Sequence, residues 1–272
     1  MTEAAMLSRF RSTDGTEIAY LDEGSGPLVV LLHGLGSEHR ENWVDSGVVA
    51  GLTRAGRRVV APDSRGHGRS AKPRDQADYG TGALVGDLRA LLDHLGVSEA
   101  RSVDVVGYSM GSIVASRWVP ADDRARSLVL AGVGDHIADG SRASITGIVG
   151  TALLADDPDT IGFAPLREVR ASLLAKGNDR LALAALDLAG VDDPTPEHLA
   201  GMGVPTLVLA GADDDLVGSP HDLAARIPGA TVATIPGDHL TAVVSAEFPV
   251  AVCDFIASVT PTPSTPSEEP TP

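Results

Sequence analysis

The sequence predicts an α/β fold: a mostly parallel, twisted sheet of about eight strands with helices on both faces and a helical cap. Short, continuous apolar runs typical of buried strands alternate with stretches of helical periodicity along most of the chain. Strands that alternate with helices build a parallel sheet that is covered on both faces. A middle segment, residues 135–202, contains helix-like stretches and no strand of this pattern.

The first half of the chain begins with a predicted hairpin, whose second strand covers residues 16–22. Its turn is Asp14-Gly15, a dipeptide suited to tight hairpin turns. Six apolar residues between Leu84 and Leu95 recur at helical spacing, and Gly96 follows as a helix terminator. Further along this half, the predicted strands are 28–32, 57–62, 101–106 and 126–132, and the predicted helices are 81–95 and 112–118.

The second half resumes the alternation after the middle segment. We predict strands at 204–210 and 230–235 and helices at 219–227 and 245–258. Within the middle segment the predicted helices are 144–155, 166–175, 180–188 and 197–202.

This pattern divides the chain into a core, a cap and a tail. Residues 1–134 and 203–259 form the predicted core, and residues 135–202 form a helical cap that would exclude water from the site. The cap is rich in Ala and Leu and has Phe163 as its only aromatic residue, which favours a neutral, aliphatic pocket. Residues 260–272 repeat Pro and Thr, and we expect a disordered tail because Pro fixes φ and removes a donor.

A Gly-x-Ser-x-Gly motif occupies residues 107–111, directly after an apolar run. A sharp strand-to-helix turn would lift the hydroxyl of Ser109 clear of the sheet. The positions two before and two after the serine must be small, because such a turn is tight. The N-terminus of the following helix would face the oxygen that becomes negative during acyl transfer. Ser109 is therefore the predicted nucleophile.

The base of a serine triad is expected at the end of a late strand. His239 follows the predicted strand 230–235 and precedes the last helix, whereas the other histidines after the motif follow no comparable strand end (His136, His198 and His221). We therefore predict that His239 is the base.

The acid is expected at the end of the preceding strand, 204–210. Three adjacent aspartates stand there, and we select Asp214 while Asp213 and Asp215 stay open as alternatives. The two aspartates that are not the acid are expected to be solvated or to cap the helix that begins near residue 219.

The predicted strand 28–32 runs into His33-Gly34-Leu35-Gly36, which supplies a tight turn. Its backbone could face the serine, so the amides of Leu35 and Met110 are the predicted donors of an oxyanion hole. Removing one such donor typically lowers the rate about a hundredfold or more. We expect His33 to orient the turn and not to carry a proton.

Together these blocks resemble the α/β-hydrolase fold family, in particular its compact, capped bacterial serine esterases, lactonases, carbon–carbon hydrolases and haloperoxidase-like enzymes. The resemblance extends over residues 10–258, with the middle third unmatched by any motif. A further block, D-x-R-G-x-G-x-S at residues 63–70, is common in the family, and its Asp63, Arg65 and His67 are expected to be scaffold. One small departure is Ser112, where many relatives place a glycine.

The resemblance implies a serine hydrolase that acts on a small, neutral carboxylic ester or lactone through an acyl-enzyme, without a metal or organic cofactor. The same triad would also serve a carbon–carbon bond hydrolase or a perhydrolase, and these alternatives stay open. A ligand receptor or signalling partner on a hydrolase scaffold is the alternative from another class. Epoxide hydrolase and haloalkane dehalogenase chemistry is disfavoured, because those relatives place Asp where this chain has Ser109.

The charge and composition of the chain limit the kinds of partner and the cellular location that we expect. The net charge of −16 argues against nucleic acid and against an anionic membrane surface, so a small-molecule substrate is expected. Cys253 is the only cysteine, which excludes an intramolecular disulfide. The sequence has neither a signal-peptide pattern nor a membrane-length apolar run, so we expect a cytoplasmic location. The oligomeric state stays open.

Overall fold

A computed structural model describes residues 7–144 and 146–259 of the chain. The tail predicted at 260–272 lies outside the described residues. Within them, one sheet contains eight strands: β1 (Ser8–Arg11), β2 (Glu17–Gly24), β3 (Leu28–Leu32), β4 (Arg58–Pro62), β5 (Val103–Tyr108), β6 (Ala125–Ala131), β7 (Thr206–Gly211) and β8 (Thr231–Ile235).

The strand order across the sheet is β1-β2-β4-β3-β5-β6-β7-β8. β1 pairs with β2 as the predicted antiparallel hairpin, and β2 runs antiparallel to β4. From β4 to β8 every neighbouring pair is parallel. All residues of the central strands β3 and β5 are buried, as expected for parallel strands that are covered on both faces. The predicted fold class is confirmed.

Helices cover both faces of the sheet. One face packs against α2 (Thr81–His94), α3 (Met110–Trp118) and α8 (Pro220–Ala224). The other face packs against α1 (Val48–Arg54) and α9 (Glu247–Val259). The sequence prediction did not include α1, a short helix whose two valines and central Gly51 give little helical signal.

Strand β5 corrects a predicted boundary at both ends. The sequence predicted a strand at 101–106 and a helix from residue 112, whereas the strand covers 103–108 and the helix begins at Met110. Arg101 and Ser109 both have φ of 51°, outside the extended region, so the strand must lie between them.

The segment between β6 and β7 carries four helices among its described residues: α4 (Ile148–Leu154), α5 (Ala164–Ala175), α6 (Arg180–Ala189) and α7 (Pro196–Ala200). We call residues 135–202 the helical insertion. Helix α6 supplies several fully buried side chains, including Leu183 and Leu186, whereas α5 has no buried residue. The first helix of the helical insertion, α4, starts at Ile148, four residues later than predicted, because Gly147 adopts a left-handed conformation with φ of 80°. Across the described residues, every helix is too short or too polar to span a bilayer.

Candidate active site

Residues 107–111 form a sharp turn between β5 and α3, which we call the nucleophile turn. Ser109 has φ of 51° and ψ of −114°, a conformation that residues with a side chain rarely adopt. Neighbouring backbone holds it there. The Ser109 N–H donates to the Ala131 carbonyl over 2.8 Å, and the Ser109 carbonyl accepts from the N–H groups of Ser112 and Ile113.

The two glycines of the motif are required by close backbone contacts. A Cβ on Gly107 would lie 2.5 Å from the Ser112 nitrogen, and a Cβ on Gly111 would lie 2.0 Å from the Leu32 carbonyl oxygen. Neither backbone atom can move without shifting a strand or a helix. The small residues on both sides of Ser109 therefore let α3 approach the sheet closely.

The structure brings Ser109, His239 and Asp214 together in a hydrogen-bonded row. The Oγ of Ser109 lies 3.0 Å from Nε2 of His239, and Nδ1 of His239 lies 2.8 Å from Oδ2 of Asp214. Ser109 directly follows β5, and Asp214 and His239 stand a few residues beyond the ends of β7 and β8. These strands are parallel, so their carboxyl ends bring the three residues to one edge of the sheet. The row matches the order nucleophile, base, acid.

Burial separates Asp214 from its two neighbours. The Asp214 side chain is buried, and its second oxygen accepts from the Leu216 N–H over 3.2 Å. Asp213 and Asp215 are exposed. Of the three aspartates, only Asp214 hydrogen-bonds His239 in this arrangement.

Tyr108 holds the loop that carries His239, a contact that the sequence analysis did not identify. Its hydroxyl donates to the His239 carbonyl over 2.6 Å, and the two rings lie 5.7 Å apart. Burial raises the pKa of Tyr108, so the hydroxyl keeps the proton that it donates. Tyr108 stands directly before Ser109, at a variable position of the Gly-x-Ser-x-Gly motif, so the sequence alone does not indicate its contact with His239.

Residues 33–36 form the second turn of the site, which we call the oxyanion turn. A Cβ on Gly34 would lie 3.4 Å from the Cβ of Ser109, so this turn passes directly beside the serine. Leu35 and Met110 line the same cavity as Ser109 and His239. Within the described residues, the N–H groups of Leu35 and Met110 donate to no protein acceptor. Both amides are thus available to a ligand oxygen.

Two side chains from other segments, together with the side chain of His33 in the turn itself, fix the oxyanion turn. The Gly34 N–H donates to Oδ1 of Asn42 over 2.9 Å, and the Gly36 N–H donates to Nε2 of His67 over 2.9 Å. His33 accepts from the Ser64 N–H at Nε2, so its Nδ1 carries a proton and donates to the Gly34 carbonyl. His33 therefore orients the turn, as the sequence predicted. The role of Asn42 was not predicted, and His67 was expected to be scaffold without its contact to this turn being identified.

Both histidines beside this turn are neutral. Burial lowers the pKa of His33, and burial together with the nearby His33 lowers the pKa of His67 to about 3. A neutral imidazole can accept the backbone N–H bond that each ring receives. Neither ring contacts Ser109, so both act on the shape of the turn.

The D-x-R-G-x-G-x-S block serves as scaffold. Asp63 accepts from the N–H groups of His39 and Arg69 and from the His39 ring. Burial alone would raise the pKa of Asp63, but these bonds and the adjacent His39 lower it below its usual range. Arg65 forms a two-pronged ion pair with Asp87. These contacts lie among buried loop residues and not at the serine.

One group among the described residues has ligand atoms close enough for a metal, namely Glu38, His39 and Asp63, within 4.8 Å of one another. Both oxygens of Asp63 already accept N–H bonds that shape the loop. This group is therefore accounted for by loop structure.

A cavity of about 410 Å³ opens from Ser109 toward the helical insertion. Its walls are mostly apolar, with Ile137 and Leu186 among the buried residues that line it. Two charged groups of the wall are engaged elsewhere: Arg142 pairs with Asp193, and Asp187 accepts from the Gly150 N–H. Such a cavity lies within the usual range for small-molecule sites.

Comparison with known proteins identifies the family. The sequence model of the α/β hydrolase fold matches residues 27–162. A non-heme chloroperoxidase of Kitasatospora aureofaciens is 31% identical over 265 residues, which cover 83% of this chain and 92% of that protein. The chain therefore belongs to the α/β-hydrolase fold family.

The solved structures agree. A hydrolase from Pseudomonas aeruginosa superposes with a TM-score of 0.73 at 30% identity, covering 94% of this chain and 99% of that one.

Other relatives match over shorter stretches. An uncharacterized protein of Mycobacterium tuberculosis is 39% identical over 110 residues, and epoxide hydrolase B of the same organism is 47% identical over 90 residues. Those stretches are 40% and 33% of this chain but only 30% and 24% of the two relatives.

Proposed function

We propose that this chain is a serine hydrolase that cleaves a small, neutral carboxylic ester or lactone through an acyl-enzyme. The observation that carries the proposal is the row of hydrogen bonds from Ser109 through His239 to Asp214 at the wall of an apolar cavity. A hydroxyl, an imidazole and a buried carboxylate in this order form the machinery of nucleophilic acyl transfer.

In the proposed mechanism, His239 takes the proton of Ser109 as its Oγ attacks the carbonyl carbon. The carboxylate of Asp214 keeps the imidazole in the tautomer that has Nε2 free, and it stabilises the charged ring that forms. His239 then protonates the leaving alcohol. A water molecule, deprotonated by His239, cleaves the acyl-enzyme and regenerates Ser109.

The oxyanion would be bound by the N–H groups of Leu35 and Met110. Met110 is the first residue of α3, so the positive end of the helix adds to this stabilisation. Preorganised backbone donors of this kind act where negative charge develops, which makes them more effective in the transition state than in the ground state.

The helical insertion would act as a cap over the acyl or alcohol part of the substrate. Its residues supply a large share of the cavity wall, and Leu216 and Leu240 extend an apolar rim outside it, with 67% and 73% of their surface exposed. The wall is mostly apolar, Arg142 and Lys176 in it are ion-paired, and Asp187 accepts a backbone N–H, which favours a neutral, aliphatic substrate.

Perhydrolysis is a second candidate, favoured by the chloroperoxidase from Kitasatospora. In that reaction hydrogen peroxide replaces water as the acceptor of the acyl group, and a peracid leaves. The same three residues would serve, since the peroxide loses its proton to His239 just as water would.

A burst experiment tests the proposal. The purified protein is mixed with p-nitrophenyl esters of two to eight acyl carbons, and nitrophenol release is followed before and during steady state. We expect a burst that approaches one equivalent per chain, because the acyl-enzyme accumulates on Ser109. A folded protein that turns over neither these esters nor a panel of lactones would contradict the proposal. Adding hydrogen peroxide and measuring acid against peracid then separates hydrolysis from perhydrolysis.

A further inference from the structure

We propose that Asn178 is a positioning residue for the oxyanion turn, and that it links docking of the helical insertion to the placement of the Leu35 N–H. The inference rests on the proposed function. It concerns a residue 142 positions away from the turn that it contacts.

The contact is a pair of hydrogen bonds from one side-chain amide. Nδ2 of Asn178 donates to the Gly36 carbonyl over 2.9 Å and to the Leu173 carbonyl over 3.0 Å. Both acceptors are backbone carbonyls, so the amide nitrogen and not the amide oxygen must face them. The bond to Leu173 fixes the rotamer within the insertion, and the bond to Gly36 reaches the core.

Gly36 is consequently held from two sides. On the core side, its N–H donates to His67, and on the insertion side its carbonyl accepts from Asn178. Its φ of 71° lies in the left-handed region, which favours glycine, and a Cβ at this position would require the Leu173 side chain to move. The Gly36 N–H belongs to the peptide group between Leu35 and Gly36, so holding Gly36 restricts the backbone torsions of Leu35 and, through them, the preceding peptide group, which carries the Leu35 N–H. That preceding peptide group is also held at its carbonyl by His33.

The side chain of Leu35 joins the same two regions. It packs against the large cluster of the core and against the small cluster formed by Leu153, Leu183 and Ala184 of the insertion. The backbone and the side chain of this residue thus both depend on the insertion.

The remaining polar contacts of this part of the insertion are surface ion pairs. Lys176 pairs with Glu41 over 2.9 Å, and Asp179 pairs with Arg74 over 2.8 Å, with at least one largely exposed member in each pair. Exposed pairs of this kind contribute little to stability. Helix α5, which precedes them, has no buried residue. Glu41 also accepts from the hydroxyl of Ser37, which follows the oxyanion turn, whereas Asn178 bonds a residue of the turn directly. Asn178 is therefore the direct polar contact between this weakly held segment and the oxyanion turn.

The test compares Asn178→Ala with Arg74→Ala. The first variant removes the bond to Gly36, whereas the second removes a contact of the adjacent Asp179 that does not reach the oxyanion turn. With a p-nitrophenyl ester, we expect Asn178→Ala to lower kcat about tenfold and to leave KM within about twofold, because the oxyanion exists only in the transition state. Arg74→Ala should keep both within about twofold of wild type.

Inhibitor affinity provides a second readout. A trifluoromethyl ketone adds to the serine and forms an oxyanion, whereas the corresponding secondary alcohol forms none. In Asn178→Ala, the affinity for the ketone should fall by the same factor as kcat, and the affinity for the alcohol should be unchanged. Asn178→Asp keeps the size of the side chain but places a carboxylate against the Gly36 carbonyl, so it should reduce kcat at least as much. Melting curves establish that each variant is folded.

Several results would overturn the inference. Among them are wild-type kcat in both Asn178 variants, a change confined to KM, or equal losses in Asn178→Ala and Arg74→Ala, which would attribute the effect to docking alone. An inactive wild type would overturn the proposed function as well. An active wild type with unaffected Asn178 variants would overturn only this inference.

Discussion

The nucleophile turn and the oxyanion turn lie side by side, yet they are held by different forces. The nucleophile turn is fixed by its own backbone, through close contacts of Gly107 and Gly111 with a helix and a strand. The oxyanion turn is fixed mainly by side chains: His33 of the turn itself and Asn42, His67 and Asn178 from other segments each bond one of its peptide groups.

This difference has consequences for both evolution and experiment. A turn that is held by steric contact tolerates almost no change at its glycines, and its sequence is short and recognisable. A turn that is held by distant hydrogen bonds can be adjusted gradually by substituting any of its partners. We expect nucleophile placement to be all-or-none and oxyanion stabilisation to be graded.

The largest effect is expected from Ser109→Ala. Loss of the proposed nucleophile should lower kcat about 10⁶-fold, the magnitude known for removing the serine of a serine triad. The melting temperature should change little, because the backbone contacts of the turn do not involve the hydroxyl. Ester turnover and thermal melting measure the two effects. Residual turnover near the wild-type rate would show that another group is the nucleophile.

The next effect concerns the acid. Asp214→Asn should lower kcat about 10⁴-fold, because an amide favours the wrong tautomer of His239. The neighbouring Asp213→Asn and Asp215→Asn are matched controls on exposed carboxyl groups, and each should stay within about threefold of wild type. If one of these controls were the inactive variant, the assignment of the acid to Asp214 would be wrong.

Steric control of the nucleophile turn is tested by Gly111→Ala. The added methyl group would meet the Leu32 carbonyl oxygen at 2.0 Å, so we expect a loss of about 3 kcal/mol or more in the free energy of unfolding. Gly86→Ala in α2 is the control, since nothing lies within 4 Å of its Cβ position. That change should stabilise by roughly 0.5–1 kcal/mol. Urea denaturation should separate the two variants, and equal midpoints would contradict steric control.

The smallest effect at any single pH step is a pH dependence of stability that arises beside the oxyanion turn. His67 has a folded-state pKa of about 3, below the value of 6.5 expected when unfolded. The unfolded chain therefore takes up a proton first, and stability is lost as the pH falls from about 6.5 toward 3. Each such histidine contributes a slope of up to about 1.4 kcal/mol per pH unit.

His67→Gln should reduce that slope, because an amide oxygen can still accept from Gly36 without titrating. Burial also lowers the pKa of His33, so part of the slope should persist in the variant. Of the other charged groups near His67, Asp63 raises its pKa and Lys72 lowers it. Urea denaturation at pH 7, 6, 5 and 4 measures the slopes. Identical slopes for the variant and wild type would contradict a buried, neutral His67.

The nucleophile turn could be predicted from sequence more fully than the oxyanion turn, because its contacts are local and those of the oxyanion turn are long-range. Local patterns were enough for the nucleophile turn, because its strand, its glycines and its helix are contiguous in the chain. Chain order and strand ends likewise placed His239 and the three aspartates, since parallel strands end at one edge of the sheet. The sequence analysis selected Asp214 but left Asp213 and Asp215 open, because adjacent identical residues do not encode the burial and the distance to His239 that distinguish Asp214.

The partners of the oxyanion turn could not be predicted in the same way. Asn178 acts over a separation of 142 residues, and no local pattern distinguishes it from other polar residues. His67 lies in a block that indicates scaffold, but the block does not indicate a contact with Gly36, 31 residues away. The contact of Tyr108 with the His239 carbonyl is similarly long-range. Helix α1 was not predicted because it is too short for its periodicity to register.

The proposed activity depends on a serine that is activated by its neighbours, and labelling with a fluorophosphonate probe measures this without knowledge of the substrate. We predict one stoichiometric adduct, located on the peptide that contains Ser109, in the wild-type protein. The adduct should be lost in His239→Ala, because the serine then has no base. A folded wild-type protein that remains unlabelled, or that is labelled at another residue, would contradict the assignment of Ser109 as an activated nucleophile.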